Sequence, residues 1–320
     1  MIKRTLYFGS DAYLHTKQNQ LHIKFPDPQR EKATVPIEDI GVVILDAFRL
    51  TISQQLMTKL IHNNVALIIC DERHMPQGLM LNLDANSLQQ ERFNIQIEVS
   101  LPLKKQLWQQ TIKAKIGNQR ALLLKYHSGN NFQNTSGEEI NYENMAYWQR
   151  SVRSGDPDNY EARAAAFYWA KIFNNEIEGF KRGRFEADPN NLLNYGYAIL
   201  RAITARSLVA SGLLPTFGIH HHNKYNAYAL ADDIMEPYRP FVDDIVKEVV
   251  EKYYPLLVEG EELDLMPEIK KELLKIPVIS VIINKEKSPL MIAMQRTTAS
   301  LFQCFAGVNK KILYPEIQME

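Results

Sequence analysis

The spacing of apolar residues changes period near Leu101, and this change commits the chain to a mixed architecture. Before it, Arg4–Phe8, Ala12–His15 and Gln20–Phe25 alternate as half-buried strands do, and Gly41–Leu45 and Val65–Ile69 are continuous apolar runs of buried-strand length. The polar Lys17–Gln20 stretch reads as a hairpin turn, Thr51–Ile61 as a short helix, and Gly78–Leu83 as one more strand. After Leu101 the period becomes helical. Leu107, Trp108, Thr111, Ile112 and Ile116 share one stripe that continues through Leu122–Leu124 unless Gly117 interrupts it. Further helices are expected at 142–152, 159–175, 191–211, 228–253, 267–275 and 289–307, with a Ser/Gly/Asn-rich loop at 127–139. The chain therefore reads as a mainly β domain over residues 1–101 and a helical domain over residues 102–320.

Composition is that of an ordinary soluble protein, but the formal net charge of zero hides a division. Lys104, Lys105, Lys113, Lys115, Arg120 and Lys125 lie between Pro102 and Tyr126 without an acid, whereas 232–272 holds 13 acidic and 5 basic residues. A wholly basic helix can hold nucleic acid whatever the net charge, because binding follows local potential. Cys70 and Cys304 sit in apolar patterns and suggest neither a disulfide framework nor a zinc site. No signal peptide and no apolar run long enough to cross a bilayer is visible, so the expectation is a cytoplasmic protein with no membrane partner.

The chemistry concentrates in three places. Glu161 follows Asp158 and Asn159, the expected N-cap candidates, and heads a stripe through Ala165, Tyr168 and Ile172. Alone it reads more simply as an acid complementing the helix dipole. Gly218–Ile–His–His–His222 is an imidazole-rich loop whose three histidines, being consecutive, cannot all face one site. Asp232, Asp233 and Glu236 follow at helical spacing, which lets two carboxylates share a face, and Pro237 and Pro240 argue against an ordinary exposed helix. Two carboxylates and one imidazole suit an oxygen-preferring divalent ion, Mg2+ or Mn2+ rather than structural zinc, with positions left for phosphate oxygens.

Four blocks in order, Asn159–Ala165, Asn194–Leu200, Gly212–His221 and Asp233–Pro240, resemble the CRISPR spacer-acquisition integrases, the first family of CRISPR-associated proteins. The likeness is closest to the branch that accompanies the single large guide-RNA nuclease. It implies an α+β fold, with an N-terminal β-sandwich-like dimerisation domain followed by an all-α C-terminal domain carrying the metal. The family's ligands map onto Glu161, His221 and Glu236, with Asp233 ranked second. His221 ends the Gly-x-x-His tetrad, although His220 or His222 could substitute or assist. The implied activity is that of a DNA integrase and endonuclease, which joins 3′-hydroxyl ends of captured DNA to a CRISPR repeat by transesterification. The implied partners are DNA, a second copy of the chain and the second CRISPR-associated protein.

Phosphate contacts are expected from Lys104, Lys105, Lys113, Lys115 and Arg120, and from Lys181, Arg182 and Arg184. Arg239 is placed either on the metal-bound phosphate or against an acid. Two other readings compete: a stand-alone metal-dependent nuclease or phosphohydrolase, and a DNA-binding scaffold whose acids and histidines are only structural.

Overall fold

The computed structural model describes residues 3–127, 142–183, 186–258 and 261–318. The loop expected at 127–139 lies, beyond its first residue, outside the described residues. β1 (Arg4–Phe8), β2 (Ala12–Lys17), β3 (Gln20–Lys24), β4 (Ala33–Pro36), β5 (Ile40–Leu45), β6 (Leu50–Ile52), α1 (Gln54–His62), β7 (Ala66–Cys70) and β8 (Pro76–Met80) come first. They form two four-stranded sheets, β1-β5-β7-β8 and β4-β3-β2-β6. The first is parallel from β1 through β7, with β8 added antiparallel at its edge.

This first sheet explains the continuous apolar runs. Successive side chains on a strand face opposite ways. Val43 and Leu67 join a core with Leu14, Leu21 and Leu60, between the two sheets and α1. Val42, Ile44 and Ile68 join the larger core under the helices. Both faces of β5 and β7 are covered, so neither strand alternates with polar residues. The helix expected over Thr51–Ile61 begins later, at Gln54. Ser53 caps it by accepting the Leu56 N–H, and Leu50–Ile52 pair with β2 instead.

The helical part opens with α2 (Gln89–Glu98), ahead of the change of period at Leu101, and this helix has too few apolar residues to show a stripe in the sequence. It is held by Gln96, whose amide donates to the Leu214 carbonyl and accepts the Leu214 N–H. α3 (Leu101–His127) runs straight through Gly117, and α4 (Glu143–Ser151), α5 (Tyr160–Ile172) and α6 (Asn190–Ala210) follow the apolar periodicity. The helix expected over 228–253 divides into α7 (Ala229–Met235), a 3-10 turn (Glu236–Tyr238) and α8 (Arg239–Tyr253), with Pro237 and Pro240 at the joints. α9 (Pro267–Leu273) and α10 (Leu290–Phe305) complete the helices. This part is helical but not wholly so, because β9 (Ser280–Ile283), β10 (Glu286–Pro289) and β11 (Pro315–Glu316) form a small sheet.

Buried ionic contacts tie the β-rich and helical parts together. Asp46, after β5, accepts hydrogen bonds from Tyr7 and from Lys270 of α9, and its other oxygen meets His74 Nδ1 at 2.8 Å. Burial pushes the Asp46 carboxyl up, but these three partners outweigh it and hold its pKa below the usual range.

Where α6 meets α8, Gly196 sets the spacing: a Cβ there would stand 2.5 Å from Val242 Cγ1. The β-branched valine has little rotamer freedom with which to yield. Gly196→Ala is therefore expected to lower stability by about 1–3 kcal/mol, read as a lower urea midpoint.

Candidate metal centre

Glu161 and Glu236 converge on one ammonium group. Lys115, from the middle of α3, places Nζ 2.7 Å from Glu161 Oε1 and 2.7 Å from Glu236 Oε2. Glu236 also pairs through Oε1 with Arg239 Nε at 2.9 Å. Local folding explains how these groups arrive. Asp156 accepts the N–H groups of Tyr160 and Glu161, so it caps α5 where Asp158 or Asn159 was expected. Asp158 is turned to Arg153 instead, and Asn159 adopts the left-handed conformation. The 3-10 turn after α7 then carries Glu236 against α3.

Burial drives the Glu236 carboxyl up, yet Arg239 and Lys115 overcome it and hold its pKa at about 2. Burial alone would lower the Lys115 pKa, and Glu236 and Glu161 raise it instead. The site joins a buried carboxylate, Glu236, and a partly exposed one, Glu161, around one cation.

The histidine loop folds around Asp233. Asp233 Oδ2 accepts the N–H groups of Ile219 and His220 at 2.7 and 2.9 Å. Its Oδ1 accepts the His221 N–H at 3.2 Å and meets His221 Nδ1 at 2.5 Å. A Cβ at Gly218 would fall 2.5 Å from the His221 carbonyl oxygen and 2.8 Å from Asp233 Oδ2, which accounts for the glycine of the tetrad. Asp233 therefore organises the loop with both oxygens engaged. The bond to Asp233 raises the His221 pKa against burial, and Glu236 and Glu161 add to the rise. The three histidines diverge as their adjacency requires. His220 stacks on Trp108 of α3 with ring centroids 4.1 Å apart, and His222 is exposed.

The donor chemistry suits a divalent ion. Two carboxylates already share one cation, and His221 is held through Nδ1 by a carboxylate, leaving Nε2 for a ligand role. As placed, no group of three His, Cys, Asp or Glu side chains among the described residues is gathered tightly enough to hold a metal ion. Lys115 stands where the two carboxylates meet.

Several expected DNA contacts are relocated. Lys115 is buried in the carboxylate pair, which removes it from any solvent-facing basic stripe. Arg239 pairs with Glu236 and lies 4.5 Å from the Tyr197 ring centre, the acid-facing alternative of its two expected roles. Arg120 reaches Glu143 at 3.3 Å. Lys105 and Lys181 are exposed, and Lys104 and Lys113 are partly so. Arg184 lies outside the described residues.

Beside Glu236 and Lys115 opens a cleft of about 1070 Å³, walled by the turn before β8, by α6 and by the start of α8. Arg182 lines it, as does a group that sequence reasoning missed. Asp243 accepts the hydroxyls of Tyr168 at 2.8 Å and Tyr197 at 2.5 Å, joining α5, α6 and α8. Burial dominates and pushes the Asp243 carboxyl up to about 7, against the two tyrosines and Arg239. No spacing rule pairs an aspartate on one helix with tyrosines on two others, so the sequence held no usable signal for it.

These two acids give opposite pH signatures. Glu236 is ionised in the folded chain at pH values where the unfolded chain still binds its proton, so stability rises with pH between about 2 and 4.5. Asp243 keeps its proton when folded after the unfolded chain has lost it, so stability falls with pH between 3.8 and about 7. Urea midpoints measured across pH should show a shallower rising limb in Glu236→Gln, with the Asp46 contribution remaining, and Asp243→Asn should flatten the falling one.

Comparison with known proteins agrees with this architecture. Residues 6–254 match the family described as CRISPR associated protein Cas1. The chain is 33% identical over 322 aligned positions to the CRISPR-associated endonuclease Cas1 of Neisseria meningitidis serogroup C (strain 8013), covering 99% of this chain and 97% of that one. A casposase bound to its integration product has a similar fold, with a TM-score of 0.74 at 19% identity, over 98% of this chain and 92% of that chain. A Cas1 protein from Thermotoga maritima gives 0.70 at 15% identity, over 95% and 97% of the two chains. The fold, the ordered motifs and the full-length similarity lead to one conclusion: this chain belongs to the Cas1 family.

Proposed function

We propose that the chain is a metal-dependent DNA integrase of CRISPR adaptation with associated endonuclease activity. The observation that carries this reading is the convergence of Glu161 and Glu236 on one cation, beside a histidine whose Nδ1 is fixed by Asp233. Glu161, His221 and Glu236 would hold Mg2+ or Mn2+, which would supply positive charge to the phosphate under attack. A solved relative in fold, the casposase bound to integration product, supports the reaction class, and one described as a Cas6-RT-Cas1–Cas2 complex supports a Cas2 partner.

The chain's own residues have definable tasks. The 3′-hydroxyl oxygen of the incoming strand bonds to a repeat phosphorus, and the bond to the repeat's 3′ oxygen breaks. The attacking hydroxyl loses its proton and the departing oxygen gains one. Asp233 fixes the His221 ring through Nδ1 and leaves Nε2 to hold the ion, so the proton is exchanged with solvent. Lys115 and Arg239 offset the charge of the two carboxylates as a further anion approaches. Lys104, Lys105, Lys113 and Lys181 would steer the duplex through its phosphates. Residues 1–101 would serve dimerisation and residues 102–320 catalysis, in a cytoplasmic assembly. Among the described residues, no helix is long and apolar enough to cross a membrane.

The test is strand joining on a plasmid carrying a CRISPR repeat, with and without Mg2+ or Mn2+. Glu161→Ala and His221→Ala should each reduce joining by at least about 100-fold, in line with loss of a positioned catalytic group. Both should retain the wild-type unfolding midpoint to within a few degrees. Branched, covalently joined product distinguishes the integrase from a hydrolytic nuclease, and joining that survives both substitutions would remove these residues from the chemistry.

A further inference from the structure

The proposed reaction uses one of the three consecutive histidines, yet a second is also built into the fold. The His220 ring lies flat on the Trp108 indole, with ring centroids 4.1 Å apart and an angle of 2° between their planes. His221 stands edge-on to both. Its ring centre is 5.8 Å from that of Trp108 at 82°, and 5.3 Å from that of His220 at 83°. Three rings thus form a corner, two parallel and one perpendicular, in arrangements that ring quadrupoles favour. Trp108 is a firm base for it, being 1% exposed and packed in the larger core. Its Nε1 is buried with no hydrogen-bond partner among the described residues, so the indole serves the site through its ring.

The corner matters because Asp233 does not fix the His221 ring completely. A hydrogen bond at Nδ1 pins one atom and leaves a swing about that contact, and the side chain is 44% exposed. That swing would move Nε2, the atom left to hold an ion. The edge contacts with Trp108 and His220 oppose it, and the His220 N–H ties the same loop to Asp233 Oδ2 at 2.9 Å. Trp108 and Lys115 stand seven residues apart on α3, about two turns, and so lie on one face of the helix. That face supports the two carboxylates through Lys115 and the histidine loop through Trp108.

We infer that His220 is a positioning residue, which acts through its stack on Trp108 to hold the His221 ring in the orientation that leaves Nε2 free for a ligand. The inference rests on the metal-centre reading and deepens it, since it gives the flanking histidine a task without making it a ligand. The task needs a ring face and not a nitrogen. Phenylalanine should therefore replace His220, and alanine should not. A ligand role for His220 requires the opposite of phenylalanine, which has no nitrogen to offer. Groups that orient a metal ligand in this way typically set metal affinity within about 10–100-fold.

The experiment takes two measurements on the full chain carrying isotope-labelled histidine. The first needs no metal. It follows the imidazole Nδ1–H resonance of His221 by nuclear magnetic resonance, identified by its loss in His221→Gln. His220→Ala should broaden or remove that resonance through faster exchange with solvent, while His220→Phe and His222→Ala should keep it. The second is Mn2+ binding, read by electron paramagnetic resonance. His220→Ala should weaken it by about 10-fold, and His220→Phe and His222→Ala should match wild type. Adding His220→Ala to Trp108→Leu should cost nothing further, because both remove the same contact. An unchanged His221 resonance in His220→Ala, or Mn2+ binding lost equally in the Phe and Ala variants, would overturn the positioning role. Additive losses with Trp108→Leu would overturn the route through the indole. A wild-type chain that shows the expected resonance pattern and binds no Mn2+ would support the positioning of the ring and refute the metal reading.

Discussion

The interaction on which the site depends is the one between Lys115 and two glutamates. Glu236 would not remain ionised at its depth without a nearby positive charge, since burial alone drives it toward protonation. Lys115 reaches both from the longest helix of the described residues, and Arg239 completes the charge balance on Glu236. The consequence is structural as well as electrostatic. A single amino group links α3, α5 and the 3-10 turn before α8. Loss of that group would leave buried Glu236 to Arg239 alone, which costs more than the net worth of the intact set.

Around this point the protein uses acids in three distinct ways. Glu161 and Glu236 share a cation. Asp233 engages the backbone and ring of the histidine loop, so that the loop is shaped by a carboxylate rather than by apolar packing. Asp243 meets tyrosine hydroxyls and retains a proton to an unusually high pH for a carboxylic acid. Asp233, Glu236 and Asp243 are near neighbours along the chain, yet their surroundings alone give them different work.

Much of this was legible from residue order. Period and composition located β5, β7 and most of the helices, because a buried face leaves a strong apolar signature. The tetrad glycine and the two prolines marked backbone that could not be ordinary helix, and the structure supplies the contacts behind them. What stayed hidden has a common cause. Lys115 reads as one basic residue among several, since spacing on α3 says nothing about carboxylates delivered by elements much later in the chain. α2 escaped because its fixing contact is a glutamine amide, which leaves no periodic trace. The Asp156 cap was missed because it acts from outside the usual position, across a turn with left-handed residues.

The two-faced first sheet has a consequence for how the molecule assembles. Val43 and Leu67 belong to one core while Val42, Ile44 and Ile68 belong to the other, so adjacent residues of a strand answer to different neighbours. A slip of one residue in the pairing of β5 with β7 would exchange these sets and spoil both cores at once. The strand register is thus specified twice, from opposite sides. Neither part can melt from this sheet without exposing apolar surface that the other had covered, so the stabilities of the β-rich and helical parts are coupled through it.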